Sequence, residues 1–157
     1  MLDALQEFTM SLPPLLQWAG VALVSAIPFV ESYFGSVLGV LSGMNPVVAI
    51  LAAVVGNVCS MLLFVLGAHR VRSRMVGGRA PVEPTPRRRR LRNLFDKYGV
   101  AGVSLLGQTV LPSQITSAAM VSFGAPKNVV ILWQIISIVV WGAAFGILAW
   151  LGFSLVA

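Results

Sequence analysis

Charge is scarce in this sequence. Only 10% of its 157 residues are Asp, Glu, Lys or Arg, while 57% are hydrophobic. A soluble domain carries about 25% charged residues. Too few ionised groups remain to cover a water-facing surface, so lipid must cover most of the chain. Cysteine is almost missing: Cys59 stands alone, which excludes a disulfide framework or a cysteine metal site within one chain. Histidine is equally scarce, and His69 at the edge of a polar stretch reads as an interfacial residue at a helix end. No Ser/His/Asp set, carboxylate pair or metal cluster can be assembled at membrane depth. Neither an enzyme nor a bound metal or cofactor is therefore expected. The opening residues, Met1 to Phe8, lack the basic n-region of a signal peptide.

The charge that is present is concentrated. Ten of the eleven Lys and Arg fall between Arg70 and Lys97, and the eleventh is Lys127. Aromatic residues do not interleave with that cluster, and membrane-length apolar runs flank it, so nucleic acid is not the expected partner. Basic residues in short loops stay on the cytoplasmic side. They also attract anionic lipid head groups, here at Arg87, Arg88, Arg89 and Arg90. Residues 69–97 are accordingly expected to form a basic cytoplasmic loop, leading into a basic helical start, within a single membrane domain.

The apolar runs set the spans. Residues 46–68 hold no charge over 23 positions, which is roughly 34 Å of helix and enough to cross the ~30 Å hydrocarbon core. Asn57 lies at the centre of that run, suited to bond between helices or to line a pathway. Residues 128–157 are again uncharged. Residues 1–12 read either as a short interfacial helix, with Leu2, Leu5, Phe8 and Leu12 on one stripe, or as a frayed terminus. Residues 13–44 and 98–124 are apolar but broken. The first holds Pro28, Glu31 and glycines; the second holds Gln108, Pro112, Gln114 and Thr116 together.

These broken segments occupy matching places in two halves, 13–68 and 98–157. Glu31, Gly35, Gly39 and Gly43 recur every four residues, as do Gln114, Ala118 and Ser122, so each set forms one helical ridge that another backbone can approach closely. Pro28 and Pro112 stand shortly before the polar residue, where proline suits a helix's first turn. Two half-helices are expected, with N-termini at membrane depth. Such breaks are tolerated only when buried in protein or lining a wet cavity, and in matching positions they point to a transporter site. The expected fold is an all-α membrane protein of two inverted-topology repeats, each a re-entrant helical hairpin followed by a transmembrane helix. Residues Glu31, Gln108, Gln114, Thr116 and Asn57 are its candidate substrate and proton pathway.

At these residues a family resemblance enters. The stretch Ala-Ile-Pro-Phe-Val-Glu-Ser-Tyr-Phe-Gly (26–35) and the run Gly-Asn-Val-Cys-Ser-Met-Leu-Leu-Phe (56–64) resemble the small multidrug export family. The second half, from Phe95-Asp-Lys-Tyr-Gly to Leu151-Gly, is similar to that family and to the wider DedA-like (VTT domain) membrane proteins. The DedA-like pattern Gly-Arg-Phe-x-Pro-Gly-x-Arg falls on residues 107–114. There Gln108 and Gln114 replace both arginines and Pro112 comes one place late. The resemblance implies paired re-entrant hairpins, alternating access and proton coupling, in a bacterial-type cytoplasmic membrane. It places the family's hairpin carboxylate on Glu31, while the arginines used for lipid phosphates are missing.

Glu31 is the one acidic residue within an apolar segment, because Asp3, Glu7, Glu83 and Asp96 lie in polar flanks. A central carboxylate costs about 2.5–3.5 kcal/mol on insertion scales. Helix N-terminal amides favour the anion instead. A group held between these two effects can load and release a proton. The leading expectation is a small transporter or lipid translocase coupled to protons through Glu31. The alternative is a non-transporting membrane assembly or stability factor that binds partner helices through its small-residue ridges. A bundle this small is expected to work as a homodimer or larger homo-oligomer. Gly142 and Gly146 are candidate packing positions, against a second copy or against the chain's own helices.

Overall fold

The computed structural model describes residues 2–75, 86–108 and 110–156, and every element among them is helical. The order is α1 (Leu2–Ser11), a 3-10 turn (Pro14–Leu16), α2 (Gln17–Ser25), α3 (Glu31–Leu41), α4 (Pro46–Met75), α5 (Pro86–Gly107), α6 (Ser113–Phe123) and α7 (Lys127–Val156). Among the described residues two helices are long and apolar enough to cross a membrane, Pro46–Arg74 and Lys127–Gly152, with mean hydropathies of 2.5 and 2.1. Only 39% and 33% of their most apolar windows are buried by the protein itself. Val47, Leu51, Val55 and Leu63 on α4, with Val140, Leu148 and Leu151 on α7, lie exposed. A water-soluble monomer rarely leaves apolar surface on that scale uncovered, whereas acyl chains cover it readily.

Local sequence explains where the elements start and stop. Asn45 caps α4, its Oδ1 accepting from the Val47 N–H at 3.0 Å, and Pro46 takes the first helical position. Helices α3 and α6 end in the same way. The Gly43 and Gly124 N–H groups donate to Val40 and Val121, and the next N–H reaches back five residues, Met44 to Gly39 and Ala125 to Met120. That pattern needs a left-handed residue after the helix, which glycine supplies at φ 82° and 113°. Gly43 therefore does not continue the Glu31–Gly39 ridge: it is exposed, and a Cβ built there meets nothing within 4 Å.

One boundary differs from the expected ones. Helix α4 runs beyond Ala68 to Met75, so residues 69–75 are helical, while α5, beginning at Pro86, is the basic helical start expected there. Basic side chains do not break a helix, and their long stems let the charge leave the apolar zone. Residues 76–85 lie outside the described residues. Helix α5 is itself interrupted at Gly99, where φ 65° and ψ −170° separate a basic stretch from Val100–Gly107.

The fold divides into two compact units, residues 1–60 with 138–157, and residues 61–137. In the first, α2 and α3 pack together, and Leu5 of α1 packs against the Val24, Val30 and Leu38 cluster. Residues 1–12 thus contain a docked helix rather than a frayed end. It bends by 119° from the Pro14–Ser25 segment. In the second unit α5 and α6 pack together, and Met61, Val65, Val103, Met120 and Val130 are buried. The C-terminus of α6 carries cations. Arg72 Nη1 donates to the Val121 carbonyl at 3.1 Å, and the Arg92 guanidinium lies 5.5 Å from the Phe123 ring centre. Positive charge there complements the helix dipole. Replacing Arg72 with Met is expected to destabilise this unit by about 1 kcal/mol, read as a lowered midpoint of thermal unfolding in detergent, with α4 left helical by circular dichroism.

Candidate functional site

Each unit contains two short helical segments next to each other in the chain: α2 and α3 in the first, and the Val100–Gly107 part of α5 with α6 in the second. Helices α2, α3 and α6 have 9, 11 and 11 residues, or roughly 14–17 Å each against the ~30 Å of a hydrocarbon core. The buried polar residues collect where these segments meet.

In the first unit the break spans residues 26–30. Pro28 has no N–H to continue α2 and disfavours the helical region for Ile27. It lies three residues before α3, inside the turn, and not in the helix's first turn as expected. The chain re-enters the helix through two left-handed residues, Phe29 at φ 75° and Glu31 at φ 55°. Neither is glycine, so each carries roughly 1–2 kcal/mol of steric strain. Glu31 is then the first residue of α3 and is fully buried. Strain of this kind persists only where the surroundings enforce it, and it clusters at functional sites.

Those surroundings are polar and tightly packed. Ser60 Oγ on α4 donates to the Ala26 carbonyl at 2.8 Å, holding the tip of the break. Ser32 Oγ, next to Glu31, donates to the Ile138 carbonyl of α7 at 2.9 Å. Asn57 is fully buried one helical turn before Ser60. The glycines allow this closeness. A Cβ at Gly35 would fall on Ser25 Oγ, one at Gly39 would lie 2.7 Å from the Ala49 Cβ, and one at Gly56 would fall on the Ala22 carbonyl. Gly142 meets Ser32 and Val54, and Gly146 meets Ile50 and Ser36, so both pack against the chain's own helices.

In the second unit α5 ends at Gly107 and α6 begins at Ser113, with Pro112 the capping residue before it. Gln114, Thr116 and Ser117 are fully buried, and Gln108 is 5% exposed. The expected ridge fails at its far end, because Ser122 is exposed and its Oγ donates to the Ala118 carbonyl. Instead, contacts tie α5 and α6 to α7. Gln134 Nε2 donates to Thr116 Oγ1 at 3.2 Å, and Ser137 Oγ donates to the Ser104 carbonyl at 2.7 Å. A Cβ at Gly107 would lie 3.4 Å from the Thr116 methyl.

Sequence reasoning singled out Gln108, Gln114 and Thr116 but passed over Ser104, Gln134 and Ser137. The available signal was spacing: Ser104 and Gln108 are four apart, and Gln134 and Ser137 three apart, so each pair shares one helical face. Of the basic run on α5, Arg89 and Arg90 are exposed, while the side chains of Arg87 and Arg88 lie outside the described ones. Among the described residues no group of three or more His, Cys, Asp or Glu could hold a metal ion, and Cys59 is exposed. No protein-family model, curated protein or solved structure matches the chain.

Proposed function

We propose that this chain is a small membrane transporter or lipid translocase of the DedA-like type, coupled to protons through Glu31. The observation that carries the proposal is the placement of Glu31: a fully buried carboxylate, in a left-handed conformation, at the first residue of a half-length helix in a membrane-spanning chain. A carboxylate with a purely structural role needs neither the strain nor the helix break. Ionisable residues at membrane depth mark proton and substrate paths. The resemblance of residues 26–35 to the small multidrug export family supports the same reading.

The two breaks act as re-entrant hairpins, α2–α3 and α5–α6, each followed by a spanning helix, α4 or α7. The shared terminal motif at Gly43 and Gly124 supports an internal repeat. The partner-helix alternative loses most of its proposed contact face, since Gly35, Gly39, Gly142 and Gly146 are all buried against side chains of the same chain and only the ridge ends at Gly43 and Ser122 stay exposed. Function as a homodimer or larger homo-oligomer in a bacterial-type cytoplasmic membrane belongs to this proposal, with Arg89 and Arg90 at anionic head groups.

Two spans around a cytoplasmic basic segment leave both termini outside. With Cys59 changed to Ser, a cysteine placed at Leu5 is expected to react with an impermeant maleimide from the outside. Labelling from the cytoplasmic side alone would rule out re-entrant hairpins, and labelling of a cysteine at residue 80 from outside would overturn the topology altogether.

A further inference from the structure

We propose that the polar cluster of the second unit binds a neutral hydroxyl-bearing group, such as a polyol or the glycerol head of a neutral lipid, rather than a phosphate or an organic cation. The cluster is assembled by contacts already described: Thr116 links the end of α5 to Gln134, and Ser137 links α7 to Ser104. Among the described residues, four of its buried side-chain atoms have no hydrogen-bond partner: both amide atoms of Gln108, Oε1 of Gln134 and Oγ of Ser104. A buried amide or hydroxyl left without a partner costs roughly 1–3 kcal/mol, so several in one place call for something that satisfies them.

Their chemistry selects the occupant. Gln108 Nε2 offers donors, the two amide oxygens offer acceptors, and the serine hydroxyl offers both. A phosphodiester or a phosphate dianion can satisfy only the donors, leaving the carbonyl oxygens without a partner. A quaternary ammonium carries no donor and leaves all of them unsatisfied. A hydroxyl both donates and accepts, and so does water. The residues forming the cluster, Ser104, Gln108, Gln134, Thr116 and Ser137, are all uncharged. An ion brought there would lose its hydration without a counter-charge from them, which is far costlier than burying a neutral polar group. A hydroxyl ligand is held where water alone would otherwise sit, and it adds carbon contacts that water lacks. The inference rests on the transport reading only in treating that ligand as cargo; the site itself is a matter of binding.

Binding is therefore the measurement. Saturation-transfer difference NMR on the purified full chain in nanodiscs would use glycerol, methyl phosphate, tetramethylammonium and dioctanoylglycerol as separate probes. Glycerol or dioctanoylglycerol is expected to give the strongest transfer, falling at least fivefold in Gln108→Leu. A signal from dioctanoylglycerol that glycerol does not compete away assigns the ligand to a lipid; transfer to glycerol alone assigns it to a free polyol. Because Gln108→Leu removes an unsatisfied amide, the variant should fold at least as stably as the parent, so lost binding is not lost structure. Stronger transfer to methyl phosphate or tetramethylammonium, equal signals in parent and Gln108→Leu, or no transfer to any probe would each overturn the proposal. Glycerol binding by a chain that shows no flux would retain this site and remove the transport reading.

Discussion

Glu31→Gln is expected to fold and insert as the parent chain does but to lose proton-driven flux by at least tenfold. The amide fills nearly the same volume as the carboxylic acid and can keep a hydrogen bond. What it removes is the capacity to exchange a proton at the head of α3, where Glu31 is fully buried. Glu31→Asp keeps the titratable group but draws it back by one methylene, so a reduced rate is expected rather than none. Proteoliposomes carrying a trapped pH indicator read both outcomes, with protein content per vesicle held equal. A Glu31→Gln chain whose flux and pH dependence match the parent would remove the proton-carrier role and leave Glu31 as a structural hydrogen-bonding group.

The second large effect is steric. Gly56→Ala is expected to destabilise the chain by about 3 kcal/mol, the upper end of the usual range for an overpacked site. The added Cβ would fall on the backbone carbonyl of Ala22 in α2, and backbone cannot turn aside as a flexible side chain can. The site most disturbed would be the break after α2, where Ser60 holds the Ala26 carbonyl. Gly67→Ala, on the same helix, serves as the control. A Cβ there meets nothing within 4 Å, and alanine favours helix over glycine by up to about 1 kcal/mol. Denaturation in mixed micelles should therefore move in opposite directions for the two variants. Equal midpoints for both would mean that α2 does not lie against α4 at Gly56.

Parts of this fold were legible in the sequence for reasons that can be named. The spans in α4 and α7 announce themselves because lipid tolerates almost no charge over their length. The two breaks were visible because proline and polar residues coincide inside apolar segments. The start of α3 was misjudged, since the chain turns through left-handed Phe29 and Glu31, a conformation that nothing in residue type announces outside glycine. The role of Gly43 was misread because a four-residue spacing is the same for a glycine on a ridge and for one just past a helix end. Gln134 was hidden for a different reason: its partner Thr116 lies 18 residues earlier, and contacts between separate helices leave no local pattern.

Whether this chain moves a solute under a proton gradient is measured directly by flux in proteoliposomes. Vesicles containing the parent chain would be loaded in turn with a lipid phosphate, tetraphenylphosphonium and dioctanoylglycerol, each with and without an imposed pH difference. Movement of at least one of them is expected, several-fold faster under the gradient than without it, with that acceleration abolished by a protonophore. Flux of every probe that matches protein-free vesicles would contradict transport, and protein-dependent flux indifferent to the gradient would contradict proton coupling through Glu31.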